Sequence, residues 1–410
     1  METSKSTASR PLYAWAIVFA AFLCFGVVYG TALYSFPVFV NPVAKAFAVS
    51  PTQVLIGFTL LNVGMGLLGI LGGPALARFG IRNVVVAGLV LLSGGFFLLS
   101  QVTSLLPFYL VYGVIIAFGS TVVANLGASA LVTNWFVANR GRALTVAILG
   151  TSAGQLFIPQ QIAKVIEAGG WAAGYRTFSV IMLVVAVIVA FIAVDRPEKR
   201  GTQAWGAEQS PQEERTAAPR LTAGQILGRP DFWVIAGSYL LTVVVYLALG
   251  ATMIPYARTF GVTGPQAAQL ASVMGLSAAI GKLGFASWTD RMGLRNTFWI
   301  AVALNLAAVT LLWTTHDYNI LFVVSALVGA SSGGILPVWP GLVATRFGRG
   351  ALPQVMGLMS PMVVALQGFG APFVLAMHFK PAYLVFAVML VGSAILSRNL
   401  SKPTAAPALP

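Results

Sequence analysis

Residues 77–83 read Ala-Arg-Phe-Gly-Ile-Arg-Asn, and residues 290–296 read Asp-Arg-Met-Gly-Leu-Arg-Asn. The two stretches start 213 residues apart, and each lies between the second and third apolar run of its half of the chain. Arg140-Gly141-Arg142-Ala143-Leu144 and Arg349-Gly350-Ala351-Leu352 likewise follow the fourth apolar run of each half. Short matches arise easily by chance, but matches at equivalent positions do not. The sequence therefore predicts two duplicated halves.

The composition around these stretches is that of a membrane protein. Of the 410 residues, 58% are hydrophobic and only 8% are charged, whereas soluble domains carry about 25% charged residues. This excludes a soluble enzyme, a disordered chain and a disulfide scaffold. Since a bilayer core needs roughly 20 apolar residues per helix, the apolar runs are read as spans. They cover about 13–39, 52–76, 82–101, 104–134, 142–168, 174–195, 231–257, 264–289, 296–315, 319–345, 350–378 and 381–398.

One long polar segment separates six of these runs from the other six. We therefore predict an N-terminal six-helix bundle over 1–195, a cytoplasmic linker over 196–229 and a C-terminal six-helix bundle over 230–410. The predicted fold class is an all-α polytopic membrane protein. Two six-helix halves are typical of a transporter that rocks around a site near the middle of the membrane.

The net charge of +14 is explained by topology. If both termini and the linker are cytoplasmic, 18 of the 24 Lys and Arg residues lie on that side, as the positive-inside rule requires. This predicts a multi-pass protein of the inner (cytoplasmic) membrane, with the lipid bilayer and not nucleic acid as the partner of its surface.

The repeated stretch resembles the best-known motif of the major facilitator superfamily, Gly-x-x-x-Asp-Arg-x-Gly-x-Arg between helices 2 and 3. Arg78, Gly80 and Arg82 match it, but Ala77 stands at the acidic position, which the second copy keeps as Asp290. The resemblance covers nearly the whole chain. It implies the major facilitator fold, with twelve transmembrane helices in two pseudo-symmetric halves, and a monomeric transporter that is not an enzyme.

Two further stretches resemble the monocarboxylate transporters and the related oxalate/formate antiporters. Residues 135–154, Trp-Phe-Val-Ala-Asn-Arg-Gly-Arg-Ala-Leu-Thr-Val-Ala-Ile-Leu-Gly-Thr-Ser-Ala-Gly, look like their fifth-helix signature. Tyr34-Ser35-Phe36-Pro37 looks like the end of their first helix. The chain is thus similar to a bacterial homologue of the animal monocarboxylate transporters, and this branch implies a small organic anion as substrate.

Lys282 lies inside an apolar run, eight residues before Asp290. At 1.5 Å per residue this is about 12 Å from the helix end, in a core about 30 Å thick. A charge there costs at least roughly 2.5–3.5 kcal/mol unless it meets water or a partner. Because all ten acidic residues lie outside the predicted helix centres, we expect an anionic substrate as the partner. The alternative is a lysine that extends to the interface.

The resemblance implies the same role, because related transporters carry an arginine here that binds the substrate carboxylate. A lysine is a point charge and cannot form the planar bidentate pair. Oxalate antiporters carry a second cation in helix 11, where this chain has Gln367. One cation instead of two favours a monoanion over a dianion such as oxalate.

The positions that the resemblance assigns to proton coupling differ in this chain. Animal monocarboxylate transporters carry an Asp one turn before the helix-8 cation and a Lys after the Tyr-x-Phe-Pro run, where Ala278 and Val38 stand here. Neither titrates, and desolvation favours the neutral form of a lysine. The remaining candidates for carrying a proton are Lys282 and the substrate carboxylate, and Lys282 is the predicted proton-coupling residue.

Tyr34, Asn125 and Thr151 complete the predicted substrate-binding set with Lys282 and Gln367. In the family, an aromatic residue at the position of Tyr34 lines the cavity, and Asn125 and Thr151 align with pocket-lining tyrosines of the oxalate antiporters. Packing between helices is the alternative role for these three side chains.

The sequence contains no signature of another mechanism. It has no Gly-x4-Gly-Lys-Ser/Thr loop for ATP and no catalytic triad or carboxylate pair, and we predict no cofactor and no metal. The predicted function is secondary active transport of small monocarboxylates such as L-lactate or pyruvate, with a proton, by alternating access. An organic-anion exchanger of the oxalate/formate type is the alternative, and a lipid- or drug-handling membrane protein is a third hypothesis.

Overall fold

The computed structural model describes residues 11–136, 140–205, 222–314, 317–347, 352–367 and 369–398. Within these ranges every regular element is a helix, and an isolated bridge joins Phe136 to Trp205. The chain divides into two compact units, Met1–Glu213 and Glu214–Pro410.

The first unit is built from six helices. The helical run Arg140–Ile192 is interrupted at Gly170, where φ is 78° and ψ is 173°. Because glycine adopts a positive φ at little cost, this residue makes the turn that separates two helices. The six are α1 (11–47), α2 (Pro51–Phe79), α3 (Ile81–Leu99), α4 (Leu105–Trp135), α5 (140–169) and α6 (171–192).

The second unit has a matching set of helices. Its run Gly264–Thr314 is interrupted at Gly293, and a short helix, Ala223–Leu227, precedes the set. The helices are α7 (Pro230–Arg258), α8 (264–292), α9 (294–314), α10 (Tyr318–Phe347), α11 (Leu352–Gln367 and Gly370–Ala376) and α12 (Lys380–Leu396).

Nine helical segments of the described residues are long and apolar enough to cross a membrane. One of them, Gly141–Ile192, contains both α5 and α6. The apolar helix α12 is shorter, at 17 residues, and α11 is divided around position 368, which lies outside the described ranges. Besides the short helices Pro197–Arg200 and Ala223–Leu227, the described residues thus form six main helices in each unit, and the predicted all-α polytopic fold class is confirmed.

The first and fourth helices contain turns that are wider than α-helical ones. Tyr29–Tyr34 in α1 is π-helical, as are Val111–Ile116 and Thr121–Ala128 in α4. In a π-helix the hydrogen bond runs from residue i to i+5, and such turns occur often at functional sites. The N–H of Ser35 donates in this way to the carbonyl of Gly30 at 3.0 Å.

The repeated loops share one backbone turn. Gly80 has φ 83° and ψ 151°, and Gly293 has φ 79° and ψ 160°. This region is essentially restricted to glycine. The repeat that is visible in the sequence therefore extends to the backbone.

Asp195, which follows α6, caps the N-terminus of α3. Its Oδ1 accepts a hydrogen bond from the backbone N–H of Arg82 at 2.6 Å, and its Oδ2 accepts one from Lys199 Nζ at 2.5 Å. Gly80, the N-cap residue, has no side chain for this task, and a carboxylate at a helix N-terminus is stabilised by the helix dipole. Asp195 thus brings to this loop a carboxylate that the motif lacks at Ala77.

Side chains from two other helices bind carbonyl groups at the end of α6 and just after it. A helix C-terminus leaves four carbonyl groups without intrahelical donors. The Tyr13 hydroxyl donates to Ile192 O at 2.6 Å, and Trp135 Nε1 donates to Val194 O at 2.8 Å. Trp135, which opens the fifth-helix signature, therefore has a structural role at the end of α6.

Candidate functional site

Lys282 lies on α8 in the second unit and is 8% exposed. The backbones of α8 and α10 touch at this point. A Cβ on Gly333 would lie 2.5 Å from the backbone N of Lys282, and a Cβ on Gly281 would lie 2.5 Å from Ala330 O. Small residues allow this close helix contact, which fixes the backbone of Lys282 within the unit.

The surroundings of Lys282 are apolar along α8. Ala278, one turn earlier, is 3% exposed, and Phe285, about one turn later, is 1% exposed. Lys282 does interact with a neighbouring group of the chain. The expectation that its partner comes only from outside the protein is therefore too narrow, and its burial in a spanning helix is the feature that matters.

Arg346 offers a comparison within the same unit. Its side chain is also 8% exposed, but it lies in the last turn of α10 and its Nη1 is 3.2 Å from Asp231 Oδ1 at the start of α7. This ion pair joins two helix ends. Lys282, by contrast, lies ten residues before the end of α8, which is about 15 Å of helix, so the two buried cations occupy different environments.

Gln367 is the last residue of the helix Leu352–Gln367, and its side chain lies outside the described part of the structure. Val38, the second position at which related transporters carry a proton-coupling group, is 6% exposed in α1. The helix-11 role of Gln367 and the coupling role of Lys282 stay predictions.

The first unit brings Tyr34 and Asn125 together through a third residue, Tyr29. The Tyr29 hydroxyl donates to Asn125 Oδ1 at 2.7 Å, and the ring centroids of Tyr29 and Tyr34 are 6.1 Å apart. Asn125 is exposed, although it lies in the middle of an apolar helix. These three side chains form a polar group on α1 and α4, which we call the Tyr29 cluster.

Sequence patterns do not indicate Tyr29, because its contacts with Asn125 and Tyr34 depend on helix packing and on a π-helical turn. Residues five apart in an α-helix point about 140° away from each other. In the π-helical turn Tyr29–Tyr34 the hydrogen bond spans five residues, so that residues five apart lie about one turn apart on a similar face.

Thr151 lies on α5 and is 5% exposed. Its hydroxyl donates to Ile148 O at 2.8 Å, within its own helix. The adjacent Gly150 brings α5 against α1, because a Cβ there would lie 2.1 Å from Phe22 O. Helix packing is thus an observed role for this segment.

A cavity of about 430 Å³ lies at the other functional motif of the first unit, the loop at 77–83. None of the predicted substrate-binding residues lines it. The cavity lies at the loop that Asp195 caps and not at Lys282. Its lining is formed by Leu76, Ala77, Gly80, Ile81, Ala130, Asn134, Asp195, Arg196 and Lys199.

Known proteins resemble the chain along most of its length. It is 23% identical over 389 residues to the oxalate:formate antiporter of Oxalobacter formigenes, covering 91% of this chain and 88% of that protein. It is 27% identical over 312 residues to monocarboxylate transporter 12 of Mus musculus, covering 70% of this chain and 64% of that protein.

A solved structure shares the fold. The bacterial homologue of the human lysosomal transporter Spinster, in its inward-facing and unoccupied conformation, has a TM-score of 0.74 and 16% identity, covering 98% of this chain and all of that chain. At this identity, the likeness concerns the fold alone.

The family model of the Major Facilitator Superfamily matches residues 14–256 and 238–409, which together cover nearly the whole chain. The match agrees with six helices in each unit and with the shared turn at Gly80 and Gly293. Members of the family are membrane transporters of small substrates and not enzymes. The chain therefore belongs to the Major Facilitator Superfamily.

Proposed function

We propose that this transporter carries small monocarboxylates, such as L-lactate or pyruvate, together with a proton by alternating access. The observation that carries the proposal is the buried cation Lys282, 8% exposed on a spanning helix. A cation held at such a depth is expensive and is by default a functional residue. Its proposed tasks are to bind the substrate carboxylate and to take up the proton with it.

The proposed polar contacts of the first unit come from Tyr34, Asn125 and Thr151. Hydroxyl and amide groups suit the oxygen atoms of a small acid, because they donate hydrogen bonds without adding charge. The proposed setting is the inner membrane, with both termini in the cytoplasm and a single chain as the working unit.

Exchange of organic anions is the second candidate. The oxalate:formate antiporter of Oxalobacter formigenes matches 91% of this chain, and this match favours the exchange mode. The position of Gln367 argues for the first candidate, because a dianion would leave one negative charge without a cation.

Uptake of labelled L-lactate into proteoliposomes tests the proposal, with and without an inward proton gradient. Losing one member of a buried charge pair costs about 2 kcal/mol or more, so Lys282→Ala should lower the gradient-driven rate at least about 30-fold. Lys45→Ala, which removes an exposed lysine of the first unit, is the matched control and should transport like the wild type.

The same vesicles separate the two candidates. Uptake that needs an internal anion and ignores the proton gradient would indicate exchange. Normal transport by Lys282→Ala, in protein that elutes as the wild type does on size exclusion, would overturn the assignment of the anion site to Lys282.

A further inference from the structure

Tyr29 has no counterpart among the residues that the sequence indicates for the site, yet it contacts two of them. Its hydroxyl donates to Asn125 Oδ1 at 2.7 Å, and its ring lies 6.1 Å from that of Tyr34. All three residues belong to the same unit of the chain. The contact with Asn125 joins α1 to α4, 96 residues apart in sequence.

The hydrogen bond decides which way the Asn125 amide faces. An asparagine side chain has one oxygen, which accepts, and one NH₂ group, which donates. Because Tyr29 donates to the oxygen, the NH₂ group points away from the tyrosine. The Asn125 side chain is exposed, so the amide presents its donor end outside the packed interior of the unit.

The tyrosine is itself held in place. Its ring packs between Phe25, at a centroid distance of 6.4 Å, and Tyr34, at 6.1 Å. Both partners of the hydrogen bond lie on π-helical turns, Tyr29–Tyr34 and Thr121–Ala128. Ring contacts on two sides leave the hydroxyl few alternative directions, and a donor that is held before the ligand arrives saves part of the ordering cost of binding.

We infer that Tyr29 is a positioning residue, which orients Asn125 so that its NH₂ group donates to an oxygen of the transported acid. This inference rests on the function proposed above and names the donor of the first unit. Tyr29 acts only through Asn125 and does not itself contact the substrate.

A double-mutant cycle tests this. Tyr29→Phe removes the hydroxyl and keeps the ring, and Asn125→Ala removes the amide. Each single change should raise the KM for L-lactate about tenfold and leave kcat within about twofold, because one hydrogen bond to a charged acceptor is lost. If Tyr29 acts through Asn125, the double variant should have the KM of Asn125→Ala alone.

Tyr109→Phe is the matched control. The Tyr109 hydroxyl donates to Gln53 O at 2.5 Å in the same unit, so this variant also loses one tyrosine hydrogen bond, but not at the Tyr29 cluster. Its KM should equal that of the wild type. A merely structural role of Tyr29 would lower the thermal midpoint without changing KM.

Three outcomes would overturn the inference. The first is an unchanged KM in Tyr29→Phe. The second is a double variant whose fold-increase in KM is the product of the two single increases, since that would show that Tyr29 acts independently of Asn125. The third is an equal rise of KM in Tyr109→Phe. In each of these cases the proposed function still holds if the wild type takes up L-lactate and Lys282→Ala does not. If wild-type vesicles take up no monocarboxylate at all, the proposed function is wrong and the inference fails with it.

Discussion

The number of cations in the proposed site sets which acids it can hold. Lys282 is 8% exposed on α8, and the position that carries a second cation in oxalate antiporters is Gln367. A lysine meets an anion as a point charge, so its preference depends on net charge more than on the shape of the carboxylate. One cation is balanced by a monocarboxylate, and a second negative charge would need a partner of its own.

A second cation should therefore change the preferred substrate. In Gln367→Lys, the oxalate concentration that halves the uptake of labelled L-lactate should fall at least about tenfold. The reason is that a close opposite charge in a partly desolvated site contributes more than about 1.4 kcal/mol. Gln367→Met, of similar size and without charge, is the control and should keep the wild-type preference. An unchanged oxalate preference in Gln367→Lys would count against charge matching.

At the scale of the elements, the ends of α3 and α6 depend on each other. The carboxylate of Asp195 caps α3, Tyr13 donates to the last carbonyl group of α6, and Trp135 donates to the carbonyl of Val194 just after it. Burial by itself would raise the pKa of the Asp195 carboxyl. Hydrogen bonds from Lys199 and from the backbone of Arg82, with the charges of both residues, hold the pKa below its ordinary value.

This lowered pKa has a consequence for stability. The carboxylate stabilises the folded state at any pH above its ordinary pKa, and the contribution is lost as the pH falls through the lowered pKa of the folded protein. Asp195→Asn should therefore lower the free energy of unfolding by about 1 kcal/mol at neutral pH. In thermal unfolding measured in detergent, the midpoints of the wild type and of Asp195→Asn should differ at neutral pH and become equal in acid.

Glu198→Gln is a suitable control for this comparison. Glu198 is exposed and lies three residues after Asp195, so its variant loses one negative charge without losing the cap. We expect its midpoint to follow the wild type at every pH. An Asp195→Asn midpoint equal to that of the wild type at neutral pH would show that the negative charge of this cap contributes nothing to stability, since the asparagine oxygen can still accept a hydrogen bond from the Arg82 N–H.

At the scale of the whole molecule, the loops carry the information on orientation. The predicted topology places 18 of the 24 basic residues on one side of the membrane, and the positive-inside rule predicts that this side is cytoplasmic. Cysteine labelling can test this, because the native Cys24 is fully buried. Asp317 and Glu198 are both exposed, the first between α9 and α10 and the second after α6.

We expect a membrane-impermeant maleimide to label Asp317→Cys in intact spheroplasts. Glu198→Cys should be labelled only after the membrane is permeabilised. The wild type, with Cys24 alone, should remain unlabelled in both conditions. The reverse pattern would invert the predicted orientation, and labelling of both variants in intact cells would show that the membrane was not sealed.

The sequence by itself determined the class of protein, the helix count and the superfamily. Apolar runs of about 20 residues are a local property, since each helix must satisfy its own backbone in lipid. The repeat was equally local, because it is visible as a short motif in each half, and Gly80 and Gly293 each permit the same positive-φ turn there. Lys282 was identified in the same way, from a charge in an apolar run.

Only the tertiary structure decided which side chains act together. Asp195 brings a carboxylate to the loop that has Ala77 at the acidic position, although 118 residues separate the two in sequence. Tyr29 reaches Asn125 from another helix, and a π-helical turn places it near Tyr34. Such contacts depend on helix packing and on local departures from the 3.6-residue period, and neither is written in the pattern of apolar and polar residues.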